Sequence, residues 1–224
     1  MFTRFIKFIG TLLLISSMSS SANIINVIDF IGTNEGVAEQ FVFTENGVTL
    51  TVSAWTTNVN SNQDILSDWQ LLSGPYGVYK GSSGLGVKSN DQDGSHLDGG
   101  QSSDLGDLDE GLLFSFSEEV NILGFYADYL SENDDLNFSL VTFLTPTSIA
   151  TTDIFFDTQA SLMFDEEGVF FAPDNLIGSA FMIWADGDDD DVRIVDTAFI
   201  KVPEPNTLLL FSLLLIGFAV KRRI

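Results

Sequence analysis

The chain has 224 residues, of which 45% are hydrophobic and 20 are Phe, enough for one well-filled core plus targeting segments. Residues 23–202 carry 31 acids against four bases (Lys80, Lys88, Arg193 and Lys201), a formal charge of −27 that repels nucleic acid and favours cations. The absence of cysteine excludes disulfides, thiolate nucleophiles and Cys-type zinc sites, and a single histidine, His96, excludes paired-histidine metal motifs.

The first residues, MFTRFIKFIGTLLLISSMSSSA, have the parts of a secretory signal in order. Arg4 and Lys7 form the basic region, Phe8–Ile15 the short apolar core, and Ser20-Ser21-Ala22 a small-residue cleavage site. A signal peptide over 1–22, cleaved after Ala22, is therefore expected.

Strands follow, separated by polar turns. Ile24–Phe30 comes first; Val37–Phe43 and Val48–Ala54 are joined through Asn46-Gly47, a hairpin turn pair. Asp64–Leu72 reads as one short helix. Gly81–Gly111 is rich in glycine and acids and reads as a long surface loop. Beyond it come Leu112–Phe116, Ile122–Tyr129, Leu136–Phe143, Ile154–Phe156, Val169–Phe171, Ala180–Trp184 and Val192–Lys201, all dominated by Phe, Val, Ile and Thr. The body sustains no 3.6-residue apolar period over three turns. Many short strands with frequent turns predict an all-β fold, a single β-sandwich domain of jelly-roll type over residues 23–201.

The acids group in two places. Asp91, Asp93, Asp98, Asp107, Asp109 and Glu110 lie in the long loop, and Asp186 and Asp188 in the tight turn DGDDDD. Clustered carboxylates are what calcium requires, so these are the candidate ligands, and calcium is the one cofactor to consider. With Gly94 as sixth residue, an EF-hand would need Ser89 first and Gly100 twelfth, so a site here would be irregular and built between loops. The bland reading is a solvated acidic rim. Acid pairs could also hydrolyse glycosides, but in so acidic a chain some pair falls at ~5–9 Å by chance. No nucleophile motif, phosphate cradle or His-based dyad accompanies them, so no enzyme is expected and His96 reads as a loop residue.

Trp55, Trp69, Tyr76, Tyr79, Tyr126, Tyr129 and Trp184 offer a sugar-stacking alternative. Trp55 and Trp184 read as core, whereas Tyr76 and Tyr79, in the turn-rich SGPYGVYKG, are the candidates for exposure and glycan contact.

The chain closes with Val202-Pro203-Glu204-Pro205, an uncharged stretch to Val220, and Lys221-Arg222-Arg223. Pro205–Val220 would span roughly 24 Å as a helix at ~1.5 Å per residue. That is short of a ~30 Å hydrocarbon core, a mismatch that thinning and snorkelling bases absorb. The basic tail would stay cytoplasmic and leave the body outside the cytoplasmic membrane.

These three parts resemble a PEP-CTERM sorting signal, here residues 202–224. The resemblance implies export in a Gram-negative bacterium, transient anchoring by the C-terminal helix, and recognition by an exosortase. That membrane-embedded protease would remove the tail near the Pro-Glu-Pro and pass the body to the cell surface or extracellular matrix. It also implies an association with exopolysaccharide and biofilm, with extracellular polysaccharide as a partner. GLGV at 84–87 and LLFSFSEEVNILGF at 112–125 further resemble a group of PEP-CTERM sandwich proteins of unassigned activity. The expected protein is a noncatalytic surface or matrix component. The alternatives are a carbohydrate-binding module with a defined glycan site and, further off, a secreted hydrolase.

Overall fold

A computed structural model describes residues 24–57, 69–91, 96–97, 109–129, 135–145, 148–154, 158–159, 169–172, 176–185 and 192–203. Ile25–Lys201 forms one compact unit. Its strands are β1 (Ile25–Asp29), β2 (Gly36–Ala38), β3 (Gln40–Glu45), β4 (Val48–Thr57), β5 (Trp69–Leu71), β6 (Gly77–Gly81) and β7 (Gly84–Lys88). They continue with β8 (Asp109–Asp128), β9 (Asp135–Thr145), β10 (Ser148–Ile154), β11 (Thr158–Gln159), β12 (Val169–Phe171), β13 (Ile177–Ala185) and β14 (Arg193–Lys201). All the pairings between them are antiparallel.

β8 explains how one chain builds two layers. It is 20 residues long, yet the rings of Phe114 and Phe125 lie 5.2 Å apart. Eleven residues of straight strand would separate them by about 36 Å at ~3.3 Å per residue. The strand therefore bends back, around its exposed Ser117 and Glu119. Its first half pairs with β4 and β13, and its second with β14 and β12. One layer runs from the first half through β13, β9, β10 and β5 to β4, which also pairs with that half of β8, and β3 lies on β4. The other layer runs β2–β6–β7–β14 to the second half of β8, with β1 on β14.

Alternation along the strands fills both faces of the first layer. On β13, Phe181, Ile183 and Ala185 enter the main core between the layers, while Ala180, Met182 and Trp184 enter a second cluster with Trp55, Trp69, Leu113 and Ile149. The main core is knitted by Phe rings. Phe30 meets Phe43 and Phe114, Phe125 meets Phe138, and Phe116 meets Phe181 and Phe199, at centroid distances from 4.9 to 6.0 Å. This is a sandwich-type all-β fold, as the strand pattern predicts.

Some expectations are corrected. The segment Val37–Phe43 divides into β2 and β3, whereas Leu112–Phe116 and all of Ile122–Tyr129 but its last residue belong to the single strand β8. The expected loop Gly81–Gly111 contains the buried strand β7 and the start of β8. GLGV is strand because Gly84, at φ +127, brings the backbone of Ile194 closer than a side chain permits. Trp69–Leu71, at the end of the expected helix, is strand β5 between β4 and β10, and residues 64–68 of it lie outside the described residues. The Asn46-Gly47 turn forms as expected, both residues at positive φ, closing the Glu45–Val48 pair.

Candidate functional site

The acidic segments converge at their stems. β13 ends at Ala185, whose cross-strand neighbour on β9 is Leu136, while Trp184 faces Gly111 of β8. Asp109 and Glu110 open β8 opposite Thr57 and Thr56 of β4. On the far side of the DGDDDD turn, Val192 exchanges backbone hydrogen bonds with Leu97. The sheet thus brings the ends of both acidic stretches to neighbouring strands. Asp109 and Glu110 are nonetheless buried, 8% and 2% exposed, rather than on a solvated rim as read from the sequence. Asp91 is exposed. Asp93, Asp98, Asp107, Asp186 and Asp188 lie outside the described residues. Among the described residues no group of three or more His, Asp or Glu is placed to hold a metal ion.

A pair of carboxylates does meet on the second layer. Asp29 of β1 is the register partner of Asp196 of β14, whose other neighbour is Tyr126 of β8. Partial burial pushes the Asp196 carboxyl above its ordinary 3.8, and the nearby Asp29 charge adds to the rise. Asp29 accepts a hydrogen bond from the Ile31 N–H at 2.7 Å, which ties its carboxylate to the end of β1.

The aromatic residues sort differently from expectation in one respect. Trp55 and Trp184 are core, as read from the sequence, and Trp69 joins them, edge-on to Trp184 at 5.8 Å. Tyr76 is half-buried. Tyr79 is not a freely exposed turn residue; it sits half-buried on β6, with the Arg193 guanidinium 5.2 Å from its ring centroid. The same guanidinium lies 5.6 Å from the ring of Tyr129, and that ring meets His96 edge-on at 5.3 Å. Arg193 Nη1 donates to Ser83 Oγ at 2.7 Å, and Asn34 Nδ2 donates to the Tyr79 hydroxyl at 3.1 Å. Gly81 permits this approach, since a Cβ there would stand 2.9 Å from both Arg193 Nη1 and Tyr79 Cε1.

Arg193 was not singled out by sequence reasoning. The available signal was that it is one of only four bases in residues 23–202, two positions after an acidic run.

At the end of the body, β14 finishes at Lys201, whose Nζ donates to Glu118 Oε1 at 2.7 Å. Val202 is half-buried and Pro203 exposed. Ile25 pairs with Ile200, so the chain enters and leaves the strand body on adjacent strands. The expected signal peptide, Glu204, Pro205, the apolar stretch to Val220 and Lys221–Arg223 lie outside the described residues. Among the described residues no helix is long and apolar enough to cross a membrane.

Residues 201–223 match the PEP-CTERM protein-sorting motif. The chain therefore carries the sorting signal of an exosortase substrate, and the match begins on the last residue of β14. It covers about a tenth of the chain and leaves the strand body unassigned. Searches of curated proteins and of solved structures return no match.

Proposed function

We propose that this chain is a noncatalytic component of the cell surface or extracellular matrix of a Gram-negative bacterium. Its β-sandwich, of jelly-roll type, is the cargo, held at the membrane by the tail until an exosortase removes it. The observation that carries the reading is the junction. Strand ends at Lys201, and Val202-Pro203-Glu204-Pro205 follows at once, a sequence whose two prolines disfavour helix and suit a protease's substrate strip. Exposed Pro203 fits such a strip. In this setting the acidic body serves the matrix by contact with exopolysaccharide and with calcium.

Replacing Pro203, Glu204 and Pro205 together with alanine in a host that carries an exosortase should leave a membrane-held form with its tail intact. Mass spectrometry of the surface fraction reads the outcome. Wild-type surface protein that still ends in KRRI sinks the sorting step.

A second reading, a carbohydrate-binding module, is favoured by the Tyr79–Arg193–Tyr129–His96 group, which combines aromatic faces with planar polar groups.

A further inference from the structure

Tyr129 stands out twice. It is a non-glycine residue at φ +67, a conformation that costs an L-residue roughly 1–2 kcal/mol, and it is 53% exposed. A strained backbone that turned an aromatic ring into the core would be ordinary packing. Here the strain holds the ring outward. Three neighbours fix it there: Asp128, whose Oδ1 accepts from the Tyr129 N–H at 2.9 Å; the Arg193 guanidinium; and the His96 ring. His96 is itself tied to the sheet, because its carbonyl accepts from the Val87 N–H at 2.8 Å.

Arg193 is half-buried in this arrangement. Its Nη1 donates to Ser83, and its buried Nε has no acceptor among the described residues. Asp128 is the register partner of Arg193 and is exposed. One spot on the surface therefore offers an aromatic ring, an exposed carboxylate as acceptor, and a half-buried guanidinium beside them. A pyranose ring asks for this combination. Its C–H face stacks on an aromatic ring while its hydroxyls donate to a carboxylate and accept from N–H groups.

We propose that Tyr129, Asp128 and Arg193 form a binding site for a neutral pyranose unit of a polysaccharide, stacked on the outward face of Tyr129. The inference rests on the surface-protein reading above and names the ligand class and residues for its glycan contact. Neutral sugar is preferred over uronate because exposed Asp128 adjoins Tyr129 and residues 23–202 carry a formal charge of −27, both of which repel a polyanion.

Affinity electrophoresis of the full chain in mild detergent tests this, with gels containing galactomannan, hydroxyethylcellulose or dextran as neutral probes and alginate as the acidic one. Retardation is expected in at least one neutral gel. Tyr129→Ala should weaken it at least tenfold, as should Tyr129→Gly, which also accommodates the positive φ, while Tyr129→Trp and Tyr76→Ala should retain it. Because Tyr129 is exposed, its variants should melt close to the wild type, so loss of binding is separable from unfolding. No retardation by any neutral gel, retardation unchanged in Tyr129→Ala, or retardation by alginate alone would each overturn the proposal. Tail cleavage in the host is scored independently. A protein that is processed but does not bind refutes this site and leaves the sorting reading standing.

Discussion

Gly84→Ala provides a direct test of how the second layer is assembled. Gly84 opens β7 at φ +127, and a Cβ there would lie 2.6 Å from the Ile194 carbonyl oxygen, 3.1 Å from its carbon and 3.3 Å from Val195 Cα. All three are backbone atoms of the β14 stretch on which β7 pairs, Leu85 with Ile194. No side chain can swing away, so relief requires moving one strand from the other. The forbidden φ costs about 1–3 kcal/mol, and overpacking a filled site adds ~1–3 kcal/mol. A total near ~3–4 kcal/mol lowers the melting temperature by roughly 6–16 °C for a unit of this size. Gly36→Ala is the control: its φ is +75, but nothing lies within 4 Å of the new methyl. That variant has only the backbone term, about 1–2 kcal/mol, and a correspondingly smaller shift. Thermal unfolding of the full chain followed by near-ultraviolet circular dichroism gives both values. Equal shifts for the two variants would refute the argument that β7 and β14 are held at backbone contact.

Asp196→Asn should stabilise the protein at pH 7 and lose that advantage near pH 3. The folded-state carboxyl titrates above 3.8, so its protonated form contributes stability below 3.8 that is lost as pH rises through the folded value. A difference in melting temperature that does not change with pH would contradict this. Phe114→Ala removes a fully buried ring that meets Phe30 and Phe125, and should cost about 3–5 kcal/mol; denaturant unfolding measures it, and a loss below that of half-buried Phe43→Ala would contradict the bridging role of Phe114. Calcium should raise the melting temperature of the full chain saturably, with no equal rise from magnesium. A rise matched by sodium at equal ionic strength would leave the converging acidic segments as a charged surface only.

The targeting tail was legible from sequence alone because its information is linear. Pro-Glu-Pro, an uncharged stretch and three bases need no partner elsewhere in the chain, and the match to the sorting motif over 201–223 agrees with that order. All-β character and the core positions of Trp55 and Trp184 were legible for a related reason: alternation and turn residues are local. The Asn46-Gly47 hairpin belongs with them.

What depends on distant residues was not. Gly84-Leu85-Gly86-Val87 reads as loop because glycines weaken any strand signal, yet close approach to Ile194 makes glycine the residue that fits there. Asp109 and Glu110 read as solvated, but the ladder from β4 runs to the first residues of β8 and buries them. Tyr79 and Tyr129 are 50 positions apart in the chain. Only the sheet order β6–β7–β14–β8 sets Arg193 between them. Sequence alone thus determined that the chain carries a sorting signal and that it is built of strands, since those signals act over a few neighbouring residues. Which side chains share a surface was decided by the bend in β8 and the strand order, because cross-strand register, not chain proximity, fixes the distance between side chains.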